Sequence, residues 1–143
     1  MIVLTGLAVF ILDQLSKFFV LRQLSYSESL PVLPPFFHLT LVANTGVAFG
    51  LFRGNSDLFV VVGIAILFWI YRFLRKNRVT DRWVRVGLGL VAGGALGNLV
   101  DRIRFGHVVD FLDFRVWPVF NIADSCIFIG TVLFIITCFR KPE

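Results

Sequence analysis

The residues best suited to chemistry in this chain are carboxylates. The stretch from Asn98 to Asp124, NLVDRIRFGHVVDFLDFRVWPVFNIAD, holds Asp101, Asp110, Asp113 and Asp124, four of the nine acidic residues. Long apolar runs lie on both sides, and carboxylates beside hydrocarbon are costly unless they are partnered or functional. Asp110 and Asp124 are separated by 13 residues, FLDFRVWPVFNIA, which lets them approach one another. Two carboxylates a few ångström apart cannot both ionise comfortably and so share a proton. The ionised member can take a proton from water while the protonated member polarises a peptide carbonyl. That is the chemistry of an aspartyl protease, and it calls for no metal, no cofactor and no covalent intermediate.

Other readings of the same residues stand beside this one. Asp124 follows Asn121 by three at the start of an apolar run, which suits a capping box and the positive end of a helix dipole. Capping and catalysis are compatible, and together they favour an ionised Asp124 and leave the shared proton more on Asp110. Asp101 beside Arg102 reads as an orienting or substrate-binding pair, because a guanidinium holds a neighbouring carboxylate ionised. Asp113 falls on the opposite register from Asp110 in a strand-like run and reads as solvated. Nucleophilic alternatives are poor. Ser16 and Lys17 are adjacent on a helix, where neighbours diverge, and Ser125 has no base nearby in sequence. His38 and His107 stand alone, without metal-ligand spacing. Cys126 and Cys138 lie twelve residues apart, about 18 Å on one helix, which is beyond disulfide reach.

The elements that must position these groups are membrane spans. A chain of 143 residues suffices for one domain, and this one is 57% hydrophobic with 17 Phe and 16% charged residues, well above soluble apolar usage. Its basic residues sit in short clusters between apolar runs, where they set topology and meet anionic headgroups, which argues against nucleic acid as a partner. Spans are expected at about 1–21, 58–74, 83–101 and 122–139. The first opens without the basic start and cleavage site of a signal peptide. Asp13 and Lys17 interrupt it at i, i+4, either as a self-neutralising pair that snorkels outward or as a pair facing the bundle interior.

Residues 22–57 change character. Pro31, Pro34 and Pro35 make the first part a loop, and FHLTLVANTGVAFGLF reads as short strands on the membrane surface. Asn44, before Thr45-Gly46, also suits an ordinary Asx turn. Trp69 and Tyr71 read as interface anchors. From Arg72 to Arg85 there are six basic residues against one Asp, so the loop at about 75–82 is cytoplasmic and the segments at about 22–57 and 102–121 are outside. Gly89, Gly93 and Gly97 give the third span one smooth packing face, and Asn98, Asp101 and Arg102 share a face at its outer end. HVVDFLDFRV alternates like a strand, and Arg140 and Lys141 mark the inner end of the last span. The fold expected is one α-helical integral membrane domain with four helices and both termini inside.

Five segments, DQLSK at 13–17, NTGVAFG at 44–50, GNLVDR at 97–102, GHVVDF at 106–111 and FNIADS at 120–125, together resemble the lipoprotein signal peptidases (signal peptidase II) of bacteria over nearly the whole chain. The resemblance implies an inner-membrane aspartyl endopeptidase with four transmembrane helices, a small extracytoplasmic β-cradle and a helical element near the membrane surface. It implies removal of signal peptides from diacylglyceryl-modified prolipoproteins, with cleavage just before the lipidated cysteine at the extracytoplasmic face. Asp110 and Asp124 would be the catalytic pair. Asn44, Asn98, Arg102 and Asn121 would bind substrate or position the pair, and Asp13, Lys17, Asp101 and Gly46 would support the site. Membrane phospholipid is the other expected partner, and nothing demands a protein subunit.

Two competing functions come from other classes. One is a small proton-coupled membrane transporter subunit with Asp13 or Asp101 as relay, although the carboxylates gather at one face and the halves show no repeat. The other is an assembly factor that docks through residues 110–124.

Overall fold

The computed structural model describes residues 1–46 and 56–139. The elements run α1 (Ile2–Gln23), β1 (Ser29–Leu33), β2 (Phe37–Asn44), α2 (Ser56–Lys76), α3 (Arg82–Phe105), β3 (Val108–Asp113) and α4 (Ile122–Phe139). All four helices are long and apolar enough to cross a membrane, so the expected fold class holds. Among the described residues there is no further helix at the membrane surface. Residues 47–52 of the stretch read as strands, which include the end of the NTGVAFG segment, and Arg140 and Lys141, used above to read topology, lie outside the described residues.

The bundle is inside-out relative to a soluble one. In α1 the side chains turned outward are Leu4, Leu7, Ile11, Leu12, Leu15 and Phe19, whereas the buried stripe is Val9, Asp13, Lys17 and Val20. Hydrocarbon solvates the leucines, so the interior is left to groups that bind one another.

Helix α3 is the central post, packed against α1, α2 and α4. The side chain of Asp81 caps its start, accepting from the N–H groups of Trp83 and Val84 at 2.6 and 3.0 Å. Gly106 ends it in the left-handed region at φ 72, with its N–H on the Arg102 carbonyl at 2.9 Å. The helix therefore continues a turn past Asp101, because the first residue able to reverse it is that glycine. Gly89 and Gly93 do meet α1, but a second glycine face, Gly87 and Gly94, meets α4 at Gly130 and Ala123. A single smooth face was expected from the sequence; the seven-residue spacing of the second pair was its overlooked signal. A Cβ on Gly93 would stand 2.5 Å from the Gly6 carbonyl oxygen and 2.8 Å from Val9 Cβ, so Gly93→Val must part α1 from α3. We expect a loss of about 1–3 kcal/mol in stability, as for overpacked cores. Denaturant titration in detergent checks this.

The three strands form one antiparallel sheet in the order β1-β2-β3. β1 occupies part of the stretch expected to be loop, and it tolerates Pro31 because it is an edge strand whose residues are all exposed. Leu41, Val109 and Phe111 pack the sheet onto Val20 and Leu24 at the end of α1. This small core fixes β3 over the ends of α1 and α3.

Candidate active site

Asp110 sits in the middle of β3, opposite Val42 of β2, and is 1% exposed. Its Oδ2 accepts from Asn44 Nδ2 at 2.8 Å, and its Oδ1 accepts from Asn121 Nδ2 at 2.7 Å. Asn44 lies at the end of β2 and also makes an Asx turn, its Oδ1 accepting from the Gly46 N–H at 3.0 Å. The turn aims the amide at the carboxylate. The local and site readings of Asn44 are thus one arrangement.

Asp124 lies in the first turn of α4, half-buried, and its Oδ1 accepts from Asn98 Nδ2 at 2.7 Å. The cap on this helix is made by Asn121, whose Oδ1 takes the Asp124 N–H at 2.8 Å. The reciprocal half of a capping box is not what Asp124 contributes, since its carboxylate is turned toward α3. Asn121 Nδ2 also donates to Asn98 Oδ1 at 3.1 Å. Two amides therefore join the carboxylates in series: Asp110 to Asn121, Asn121 to Asn98, Asn98 to Asp124.

Behind the amides is a buried ionic hub. Lys17 Nζ lies 2.7 Å from Asp13 Oδ2 and 2.8 Å from Asp101 Oδ2, and donates to Asn98 Oδ1 at 3.2 Å. Asp13 and Asp101 are 0% and 1% exposed. Each reaches backbone beside one of the paired aspartates: Asp13 Oδ1 accepts from the Ala123 N–H at 2.9 Å, and Asp101 Oδ2 accepts from the Val109 N–H at 3.1 Å. The interior alternative for Asp13 and Lys17 is the one observed. Asp101, by contrast, pairs with Lys17 and not with Arg102, because successive residues on α3 point to different neighbours. Arg102 lies with its guanidinium 5.2 Å from the Phe59 ring centroid. It lines a pocket of about 210 Å³ with Asn44, Gly46, Asn98 and Asp124.

The environment sets the protonation of Asp110. Burial comes first and the nearby Asp124 carboxylate second, and together they push Asp110 up to about 7 against the donors Asn44 and Asn121 and the charge of Lys17. The folded form thus holds this proton more tightly than the unfolded chain does. The contribution of Asp110 to stability is then full near pH 4 and falls as the pH rises toward about 7, since the folded state binds the extra proton across that window. We expect Asp110→Asn, which stays neutral, to melt above the unaltered protein at pH 8 and to lose that advantage by pH 5. Thermal unfolding at both pH values checks this.

Comparison with known proteins gives the family. The family profile described as Signal peptidase (SPase) II matches residues 5–140. The chain belongs to the signal peptidase II family. The lipoprotein signal peptidase of Halothermothrix orenii is 46% identical over 143 residues, which is all of this chain and 98% of that protein. That of Moorella thermoacetica is 48% identical over 91% of this chain and 87% of its own length. A solved structure, described as a bacterial membrane enzyme determined in meso at 2.3 Å, superposes with a TM-score of 0.90. It is 33% identical and matches over 99% of this chain and 93% of that one. The chain is therefore a peptidase and a multi-pass protein of the bacterial inner membrane. The transporter alternative has no support.

Two polar groups of this peptidase depart from the sequence reading. Asp113 is buried at 5% exposure, where it was expected to be solvated. Burial opposes its charge, but the Thr40 hydroxyl and the N–H and guanidinium of Arg115 outweigh it and hold the carboxyl below its ordinary range. Gln14 was missed. Its Nε2 donates to Asp101 Oδ1 at 2.9 Å, to Asp13 Oδ2 at 3.2 Å and to the Gly97 carbonyl at 3.3 Å. Its signal was available: an uncharged amide inside a membrane span needs a partner as surely as the charges beside it.

Proposed function

We propose that this chain is an aspartyl endopeptidase that removes the signal peptide from diacylglyceryl-modified prolipoproteins, cutting just before the lipidated cysteine. The observation that carries the reading is the amide-linked pair Asp110 and Asp124, with Asp110 pushed up to about 7 beside a second carboxylate. Such a pair holds one proton between two groups at neutral pH. Asp124, ionised, takes a proton from the attacking water, while Asp110 hydrogen-bonds the scissile carbonyl and hands its proton to the developing alkoxide. Collapse of the tetrahedral intermediate expels the amine of the new N-terminus, which takes the proton held by Asp124, and Asp110 recovers its own. Asn44, Asn98 and Asn121 hold the carboxylates in register. Arg102 and Gly46 line the wall that the substrate backbone meets.

The surroundings suit a lipid-anchored substrate. Beside Asp124 a groove of about 640 Å³ is lined by Phe114, Trp117, Phe120, Phe128 and Ile129, an apolar surface for an acyl chain. The relatives are themselves lipoprotein signal peptidases by name. The basic stretch from Arg72 to Arg85 favours a cytoplasmic α2–α3 connection, which puts both aspartates at the extracytoplasmic face, where such a substrate keeps its scissile bond.

Cleavage of a purified diacylglyceryl prolipoprotein in detergent, with EDTA present throughout, tests the proposal. The expected product starts at the lipidated cysteine, and the same precursor without its diacylglyceryl group is cut at least about tenfold more slowly. Cleavage that occurs only when EDTA is left out, or that ignores the lipid, would sink the reading.

A further inference from the structure

The loop between β3 and α4 carries an inference that rests on the proteolytic reading above. Residues 113–119 leave the sheet and return to it, and backbone pairing closes their base. The Leu112 N–H donates to the Phe120 carbonyl at 2.8 Å, and the Phe120 N–H to the Leu112 carbonyl at 3.1 Å. Inside this closure the buried Asp113 uses both oxygens. Its Oδ1 accepts from the Arg115 N–H at 2.8 Å, and its Oδ2 accepts from the Thr40 hydroxyl at 2.7 Å. The first bond turns the chain within two residues, with Arg115 in the left-handed region at φ 66. The second ties the turn to β2, and Thr40 extends the tie to Ser29 of β1 at 2.8 Å. An arginine does not prefer that backbone region, so the bonds around it hold it there. Phe114 adds an apolar pin, with its ring centroid 5.9 Å from that of Phe120 and 5.0 Å from that of Phe37.

The turn aims Trp117, which stands just beyond Arg115 in the chain. Trp117 lines the active-site pocket with Asn44, Asn98, Arg102 and Asp124, and it lines the apolar groove with Phe128 and Ile129. Phe120 and Asp124 also belong to both cavities. Phe120 is held by its pairing with Leu112, and Asp124 by α4, whereas Trp117 goes where the loop takes it. The substrate branches at the same place. In a lipidated cysteine the backbone nitrogen belongs to the bond that is cut, and the nearby side-chain sulfur carries the diacylglyceryl group. Peptide and acyl chains therefore part beside the carboxylates, and a ring that borders both cavities meets the fork. An indole offers that fork a large apolar surface on few rotatable bonds. We propose that Trp117 determines the preference for lipidated over unmodified precursor, and that Asp113 is the positioning residue that sets it at the fork.

The test measures kcat and KM on a diacylglyceryl prolipoprotein and on the same precursor without its lipid, using the full chain in detergent. The unaltered protein should prefer the lipidated form by at least about tenfold in kcat/KM. In Trp117→Ala and in Asp113→Ala that preference should shrink to about threefold, chiefly through a higher KM for the lipidated form. Variants of Arg115 separate the turn from mere folding. Arg115→Gly keeps the backbone bond and the left-handed conformation, and it loses only a half-exposed ion pair that contributes little. Its preference should stay within about twofold of the unaltered value. Arg115→Val, whose branched side chain resists that conformation, should match Asp113→Ala. With unaltered protein selective, three results would each overturn the proposal, even if Asp113→Ala fails to fold. They are an unchanged preference in Trp117→Ala or Arg115→Val, an equal loss on both precursors, and a preference lost as fully in Arg115→Gly as in Arg115→Val. Unaltered protein that cuts neither precursor, or cuts both alike, would overturn the proteolytic reading and this inference with it.

Discussion

Asp110→Asn and Asp124→Asn are each expected to lower turnover by about 10³–10⁴-fold, at the upper end of what general acid–base catalysis supplies, while the protein stays folded. The substitution keeps the shape of the side chain and changes its chemistry. At position 110 an amide still offers an oxygen to Asn121 and donates hydrogen bonds of its own, but it cannot release a proton to an alkoxide. At position 124 it can still meet Asn98, but it cannot take a proton from water. The two variants should differ in pH dependence. Residual activity of Asp124→Asn should lose the acidic limb set by the base, and that of Asp110→Asn the alkaline limb set by the acid. Single-turnover assays on folded protein, verified by helicity and monodispersity, give both readings. Activity within about tenfold of the unaltered protein in either variant would demote that aspartate to a structural part of the loop.

Lys17→Met is expected to produce the largest loss of stability of any conservative-volume change, about 3–5 kcal/mol, the usual result of removing one partner from a buried ionic group. Two carboxylates with no more than 1% exposure, Asp13 and Asp101, share that ammonium. Without it they face one another in a bundle surrounded by hydrocarbon. Asn98 also loses a donor, so the orientation of Asp124 loosens and kcat should fall even below the denaturation midpoint. Adding Asp13→Asn should restore part of the stability, because it removes the uncompensated charge. Denaturation of the single and double variants in detergent checks this, and a Lys17→Met protein as stable as its parent would remove the hub from the account.

Much of this was legible in the sequence, for physical reasons that differ from residue to residue. Helices α1 to α4 follow from apolar length alone, and Asp13 and Lys17 stand out because charge in a span needs a partner. Described residues from each of the five motif segments, Lys17, Asn44, Asn98, Asp110 and Asn121, join one hydrogen-bond network. What could not be read is how consecutive residues divide their loyalties. Asp101 and Arg102 are neighbours in sequence, yet one belongs to the α1 interface and the other to the pocket. That choice depends on how α3 is rotated, which its two glycine faces fix and its charges do not. Asp113 was misjudged because strand alternation gives a face but not a covering, and Thr40 and Arg115 supply the covering. β1 was hidden by its proline, which only an edge position excuses.

The hydrogen bond from the Ala123 N–H to Asp13 spans 110 positions of the chain. It ties α1 to α4, at the residue next to Asp124. A nascent chain whose α4 is still inside the ribosome has α1, the sheet and Asp110, but neither its second carboxylate nor the amide of Asn121. On the proposed mechanism, cleavage therefore waits for the insertion of α4.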